Sequence, residues 1–434
     1  MAEYEAYKDS GAEWLGKVPA HWEIGRLQTQ LDEVNEKNDP VQTTQILSLT
    51  NKLGVIPYED KGNQGNKSKE DLTDYKIAYP NCIVANSMNI LIGSVGLSQY
   101  YGCVSPVYYV FRAKTGANIE YLNYLFSMPS FQRELRKYAN GILEIRLRVS
   151  SGNILKRKVA IPPADEQKAI VDYLNSETER IDAIIAEAKA SIDEYKAWKT
   201  SIIYEAVTKG LDPNVEMKDS HIEGMGDIPA EWCITRFLMG NYVRARLGWK
   251  GLKAEEYVDE GYPFLSAFNI VNSQLRWNNL NYITQERYDE SPEIKLSVGD
   301  ILLVKDGAGI GKCARIDELP EGEATVNSSL AVITPNDNIH YRYEYYYFLS
   351  PIFQNIITQL RNGMGVPHLT QESMKEIYLP LPSLEEQIEI ADYLDNKIAE
   401  LNGVIADKEA LIADLDAYKK SLIFEVVTGK RKVV

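Results

Sequence analysis

The chain has 434 residues, a formal net charge of −15, 44% apolar and 25% charged residues, which is room for two to four domains with real cores. No apolar run reaches 18 residues, which argues against a helical membrane span. The start, Met1 to Lys8, has neither the basic head nor the apolar stretch of a secretory signal. Four cysteines (Cys82, Cys103, Cys233, Cys313) stand far apart without a CxxC pair and the four histidines are scattered, so reduced cytosolic thiols and no metal site are expected.

In chain order, residues 1–160 read as a first domain, β-rich with a helical addition. Cys82-Ile-Val-Ala85 and the stretch Cys103 to Arg112 are strand-like, and 119–139 is helical. Residues 161–210 read as one long helix opening after Ile161-Pro162-Pro163. Leu174, Ile181, Ala188, Tyr195 and Ile202 fall at intervals of seven, with Ile192 among the fillers, which gives one apolar seam made to pack on another helix. Residues 211–380 repeat the first pattern, with strand-like Gly299 to Lys305 and Ala324 to Ile333 and a helical 341–360. Residues 381–434 repeat the long helix, with Leu394, Leu401, Leu415 and Leu422 in the sevenfold frame and Ile398, Ile405 and Ile412 between. The fold class expected is α+β: two β-rich domains joined by two long helices that form an antiparallel coiled coil. Paired that way, about 40 residues each would make a rod of ~60 Å with one domain carried to either end.

The two halves are one module written twice. Val18-Pro19-Ala20-His21-Trp22 recurs as Ile228-Pro229-Ala230-Glu231-Trp232, and Lys8-Asp9-Ser10 as Lys218-Asp219-Ser220, both 210 positions on. The pattern Phe126-x-x-Pro129-x-Phe131-Gln132 recurs 222 positions on as Phe348-x-x-Pro351-x-Phe353-Gln354. Such a pseudo-twofold object suits a target with two parts. The charge is segregated. Residues 165–194 carry −6 and residues 383–416 carry −8, so the rest is nearly neutral. A basic cluster from Phe131 to Lys158 sets eight cations against two acids. An acidic scaffold with nucleic-acid-facing lobes fits this distribution.

Catalytic constellations fail inspection. Asp306-Gly-Ala-Gly-Ile-Gly311-Lys312 lacks the leading glycine and the trailing Ser or Thr of a phosphate loop, and reads as a glycine-rich turn. Pro292-Glu293-Ile294-Lys295 lacks the upstream Pro-Asp of a nuclease site. No Ser/His/Asp or Cys/His set and no Asn-Pro-Pro-Tyr motif stands out, which points to a binding protein.

At these residues the chain resembles the specificity subunit of a type I restriction–modification system. The resemblance runs over nearly the whole chain. It is carried by Lys8-Asp-Ser-Gly-x-Glu-Trp-Leu-Gly-x-Val-Pro-x-His-Trp22, Gly93-Ser-Val-Gly96, Val104-Ser-Pro-Val-Tyr108, Lys305 to Lys312, Asn327 to Val332 and Gly365-Val-Pro-His-Leu369. Most specific is Leu379-Pro-Leu-Pro-Ser-Leu-Glu-Glu-Gln387 leading into a long helix, echoed by Ile161-Pro-Pro-Ala-Asp-Glu-Gln167. The resemblance implies two target recognition domains (1–160 and 211–380) and two conserved spacer helices (161–210 and 381–434). It implies no catalysis by this chain and a double-stranded DNA target in two parts. It implies two adenine-N6 methyltransferase subunits and restriction subunits as partners, with S-adenosylmethionine, ATP and Mg on those partners and no cofactor here. A cytoplasmic place in a bacterium or archaeon and a role in phage defence follow. The alternatives are a related phage-defence specificity subunit and a coiled-coil scaffold that binds only protein. Candidate DNA-binding residues are Asn86, Ser87, Asn89, Arg146 and Arg148 in the first domain. In the second they are Arg244, Arg246, Lys250, Lys305, Asn327, Ser328, Arg361 and Asn362. Candidate coiled-coil contacts are Leu174, Ile181, Ile192, Ile202, Leu394, Leu401, Ile412 and Leu422.

Overall fold

The protein is described from a computed structural model, over residues 3–50, 53–62, 68–141, 147–245, 252, 254–307, 309–362, 369, 374–375 and 377–433. It divides into two compact units, Met1–Ala188 with Glu409–Val434, and Lys189–Lys408. Each unit therefore holds one β-rich domain and a stretch of both long helices, rather than a domain apart from its spacer. The reason is the seam: an apolar helix face needs a second helix to cover it.

In the first unit a four-stranded antiparallel sheet runs in the order Leu31–Glu33, Tyr108–Ala113, Cys82–Asn86, Val95–Ser98. All five residues of Cys82–Asn86 are buried, yet they alternate as a strand must. Ile83 and Ala85, with Phe111, join the core shared with the helices. Cys82 and Val84, with Val110, join a second core with Leu47, Leu49 and Val55. The helix Ile119–Ser127 is capped by Asn118, whose side chain accepts from the amides of Glu120 and Tyr121. It turns a corner into Pro129–Arg136, with proline in the first turn. Phe126 and Phe131 meet edge to face at 5.4 Å across the corner. Gln132 Nε2 donates back to the Phe126 and Ser127 carbonyls. The repeated Phe-x-x-Pro-x-Phe-Gln pattern is thus a helix–helix corner. In the second unit Phe348 and Phe353 lie 4.6 Å apart and Gln354 Nε2 donates to Phe348 O at 2.7 Å.

The long helices are Ala164–Lys209, 46 residues, and Leu384–Val427, 44 residues, slightly longer than the sequence pattern suggests. In the first unit Leu174, Ile181 and Ile185 share a core with Leu422, Ile423, Val426 and Val427, and Ile412 packs against it part-buried. In the second unit Ile202, Ile203, Ala206 and Val207 share a core with Ile390, Leu394, Ile398 and Leu401. Ile192 is buried as well. Polar pairs set the register: Asp182 meets Lys419 at 2.6 Å in the first unit, and Lys199 Nζ meets Asn402 Oδ1 at 2.9 Å in the second. A rise in one number matched by an equal fall in the other is antiparallel pairing.

The repeated sequence signatures close each unit on the helix that belongs to the other half. The Tyr121 hydroxyl donates to Ala160 O, before the first helix, and to Val427 O, at the end of the second, both at 3.0 Å. The Tyr343 hydroxyl donates to Pro380 O at 2.9 Å and Val207 O at 3.2 Å. The indole of Trp22 donates to Glu166 at 2.8 Å, and that of Trp232 to Glu386 at 3.0 Å. Gln167 and Gln387 accept from the amides of Asn118 and His340, which cap the domain helices. Gly429, at φ +69°, seats against this tryptophan–proline motif. A Cβ there would lie 2.3 Å from Pro19 Cδ and 3.0 Å from Trp22, so only glycine fits.

The second unit repeats the sheet in the order Asn241–Arg244, Leu330–Pro335, Ile301–Val304, Cys313–Arg315. One core position departs from the duplication. Where the first unit has buried Leu122, the second has Glu344, fully buried. Its Oε1 accepts from Asn241 Nδ2 at 2.5 Å, while Glu344 Oε2 and Asn241 Oδ1 find no partner. Burial pushes this carboxyl up to about 8, against a lesser opposing pull from the Asn241 amide. A raised carboxyl binds its proton more tightly in the folded chain than in the unfolded one. Its contribution to stability is complete below the ordinary value of 4.5 and falls as pH rises toward about 8. Glu344→Gln removes that dependence. Urea unfolding of both forms between pH 5 and 8.5 should show the wild type losing stability relative to the variant, by on the order of 1 kcal/mol per pH unit. Parallel pH profiles would contradict it.

Candidate nucleic-acid interface

In each domain two central sheet strands end at the same corner, and the loops beyond them carry most of the candidate residues that are described. In the first domain Cys82–Asn86 runs out into a loop held by its own backbone. Asn86 Oδ1 accepts from the Met88 amide at 3.0 Å, and the Asn86 amide donates to Ser94 O at 3.0 Å. Ser87 is buried, donates to Val107 O and accepts from the Val149 amide at 3.2 Å. Asn89 is exposed, and its carbonyl accepts from Ile92 and Ser94. Arg148 is exposed, pairs backbone to backbone with Asn140, and sets its guanidinium 3.6 Å from Met88 Sδ. Asn86, Ser87, Asn89 and Arg148 therefore lie together at one end of the sheet. Arg146 lies outside the described residues. Burial is the first cause that pushes the phenols of Tyr108 and Tyr109 upward, so both present neutral hydroxyls.

Much of the basic cluster beside this site is committed internally. Arg157 stacks on Tyr138 at 3.2 Å, bonds Asn153 O and pairs with Glu134. Lys137 pairs with Glu13 and Glu134, and Lys158 reaches Gly11 O. Charge counted along the sequence overstates what this face presents.

In the second domain the corner is built from the loops after Ile301–Val304 and before Leu330–Pro335. The Lys305 amide donates to Ser329 O at 2.9 Å, and Lys305 Nζ lies 2.9 Å from Asp306. Asn327 Oδ1 accepts from the amide and hydroxyl of Ser329, which forms a local turn, and Ser328 is exposed. The glycine-rich stretch is the hairpin turn between Ile301–Val304 and Cys313–Arg315, with Gly307 and Gly311 at φ +81° and +88°. Arg244 requires correction. Its guanidinium donates to Asp300 at 2.8 Å, to Thr334 Oγ1 at 2.6 Å and to the Glu293 and Lys295 carbonyls. It is an internal clamp, not a group offered to DNA. Arg246 and Lys250 lie outside the described residues, as do the side chains of Arg361 and Asn362 in the last turn of Pro351–Asn362.

One residue at this corner was not anticipated. Phe268 is 93% exposed, just beyond Leu265, whose carbonyl accepts from the Asn327 amide at 2.8 Å. It borders a hollow of about 400 Å³ with Asn269, Arg276 and Asn281. Its only signal in the sequence is an aromatic set in an Asn- and Arg-bearing stretch. Among the described residues no group of three His, Cys, Asp or Glu side chains could hold a metal ion, and no helix is long and apolar enough to cross a membrane.

Comparison with known proteins bears on this arrangement. A family model described as type I restriction modification DNA specificity domain matches residues 24–194 and again 248–411. The MjaVIII type I restriction enzyme specificity subunit of Methanocaldococcus jannaschii is 24% identical over 279 residues, 64% of this chain and 62% of that protein. The chain thus spans somewhat under two thirds of that relative. A putative MjaX specificity subunit of the same organism is 21% identical over 96% of both chains. Among solved structures, a chain from a study of complex assembly and conformational transition of the type I R-M system superposes with TM-score 0.72 at 14% identity, covering 94% of this chain and 98% of that one. The HsdS subunit from Thermoanaerobacter tengcongensis superposes at 0.53 and 14% identity, covering 95% and 98%. With two family matches over well over half its length, one on each copy of the duplicated module, this chain belongs to the type I restriction modification DNA specificity domain family.

Proposed function

We propose that this chain is the DNA-recognition subunit of a type I restriction–modification complex and reads a double-stranded target in two parts, one per domain. The observation that carries this reading is the shared corner. Two copies of one frame carry different polar groups there, exposed Asn89 and Arg148 beside buried Asn86 and Ser87 in one, and Lys305, Asn327 and exposed Ser328 in the other. Amides, hydroxyls and cations are the groups that read base edges and hold phosphates. The helices, continuous between the two units, serve as the spacer between the two readings. The chain does no chemistry itself. It holds two adenine-N6 methyltransferase subunits and recruits restriction subunits, and S-adenosylmethionine, ATP and Mg act on those partners, in the cytoplasm of its cell. Mapping N6-methyladenine in cells carrying the intact system tests this. One interrupted motif that vanishes on deletion of this gene is expected, and an unchanged methylome would overturn the reading.

Arg148→Ala separates two ways of meeting DNA. If Arg148 holds phosphate, affinity falls evenly on all sequences and the salt slope shrinks by about one. If it reads guanine, the loss is ~1–3 kcal/mol and confined to one position of the first half-site. Titration of matched and mismatched duplexes at two salt concentrations distinguishes them. Unaltered binding by the folded variant would remove Arg148 from the interface.

A further inference from the structure

The first domain contains a cavity of about 420 Å³ that opens beside the reading loop and is bordered by Met88 and Asn89. Its wall is polar in an unusual way. Ser48 and Asn86 are 7% exposed and Ser94 is 2% exposed, and all three line it. Among the described residues, Asn86 Nδ2 and the Ser48 and Ser94 hydroxyls have no hydrogen-bond partner, and the side-chain bond these three residues make there is the one Asn86 Oδ1 accepts from the Met88 amide. None of these three atoms is among the fully buried unpaired side-chain atoms of the described residues, so they are open to the cavity, and free polar groups converging on one wall point to a shared ligand. Tyr75 and Tyr108 supply flat aromatic surface on the same cavity, and Ser105 adds a further hydroxyl. Its volume falls within the ~300–1,000 Å³ of small-molecule pockets.

We propose that this cavity receives one nucleobase extruded from the duplex at the half-site read by the first domain. This rests on the DNA-recognition reading above. A base offers what the wall lacks: ring faces for the tyrosines, and ring nitrogens and exocyclic oxygens to accept from Asn86 Nδ2 and the serines. Reading a base outside the stack is how proteins reach edges that pairing conceals, and unstacking costs least at weak steps. The loop Asn86–Asn89 then has two tasks, with Asn89 facing the groove and Asn86 facing the extruded base. The second domain, with Lys305 and Asn327 near the equivalent positions, carries a different set of groups and need not share the device.

The test uses the full chain in its assembled complex, with the target fixed first by methylation mapping. Each position of the first half-site is replaced in turn by 2-aminopurine, whose emission rises when it leaves the stack. One position should brighten on binding. The Ser48→Ala, Ser94→Ala double variant should lower that rise by about three- to tenfold, the weight of one or two net hydrogen bonds. Ser105→Leu, which fills the cavity from its half-buried side, should abolish the rise while reading of the second half-site persists. Circular dichroism confirms that both variants fold. A complex that binds its target specifically with no brightening at any position overturns the inference and leaves DNA recognition standing. A rise that survives Ser105→Leu assigns the extruded base to a partner subunit and overturns it equally. Loss of specific binding by the unmodified complex would remove the recognition reading and this inference with it.

Discussion

Each domain's core is closed by the helix that follows the other domain. In the first unit the Tyr121 hydroxyl reaches Val427 at the end of the second long helix, and in the second unit Tyr343 reaches Val207 at the end of the first. Trp22 and Trp232 cover the same junctions and are fixed by Glu166 and Glu386. Because these contacts are buried, loosening one costs both an unpaired carbonyl and a cavity. Neither half of the chain can complete its unit alone, and the antiparallel register of the helices follows from that demand as much as from their apolar seams.

This constraint explains how one frame can carry two different sets of loops. The signatures that repeat along the chain (the Pro-Ala-x-Trp turn, the Glu-Gln at each long helix, the Phe-x-x-Pro-x-Phe-Gln corner) all serve closure and capping. None of them lies in the loops at the candidate interface. The halves differ where the strands end, at Asn86–Asn89 against Lys305–Lys312 and at Ser105 against Asn327. Change there leaves the closing contacts untouched.

The long helices, the duplicated frame and the helical character of 119–139 and 341–360 were legible in the sequence, because sevenfold spacing and fixed motifs are local signals, whereas the proline corner that splits each of those stretches into two helices was not. Seam residues such as Leu174, Leu394 and Leu422 are buried as the spacing implies. The candidate interface was only partly legible. Arg244 stood among the candidate DNA-binding residues, but its partner Asp300 stands 56 positions away and spacing cannot reveal that pairing. Arg157 and Lys137 counted toward a basic patch, but Arg157 turns inward onto Tyr138 and Lys137, though exposed, is paired with Glu134. Exposure of Phe268 and burial of Ser48 and Ser94 depend on which strands become neighbours, and single residues carry no sign of it. The role of Glu166 was hidden for the same reason, since its tryptophan lies 144 positions earlier.

The central claim is that the helices set the gap between two independent readings. Insertion of four residues into both long helices at matched levels adds ~6 Å while keeping their pairing. Mapping of methylated adenines should then show both half-sites unchanged and the gap between them longer by one or two base pairs, at ~3.4 Å each along one strand. An active complex that keeps the original gap, or that changes the half-sites themselves, would contradict the account.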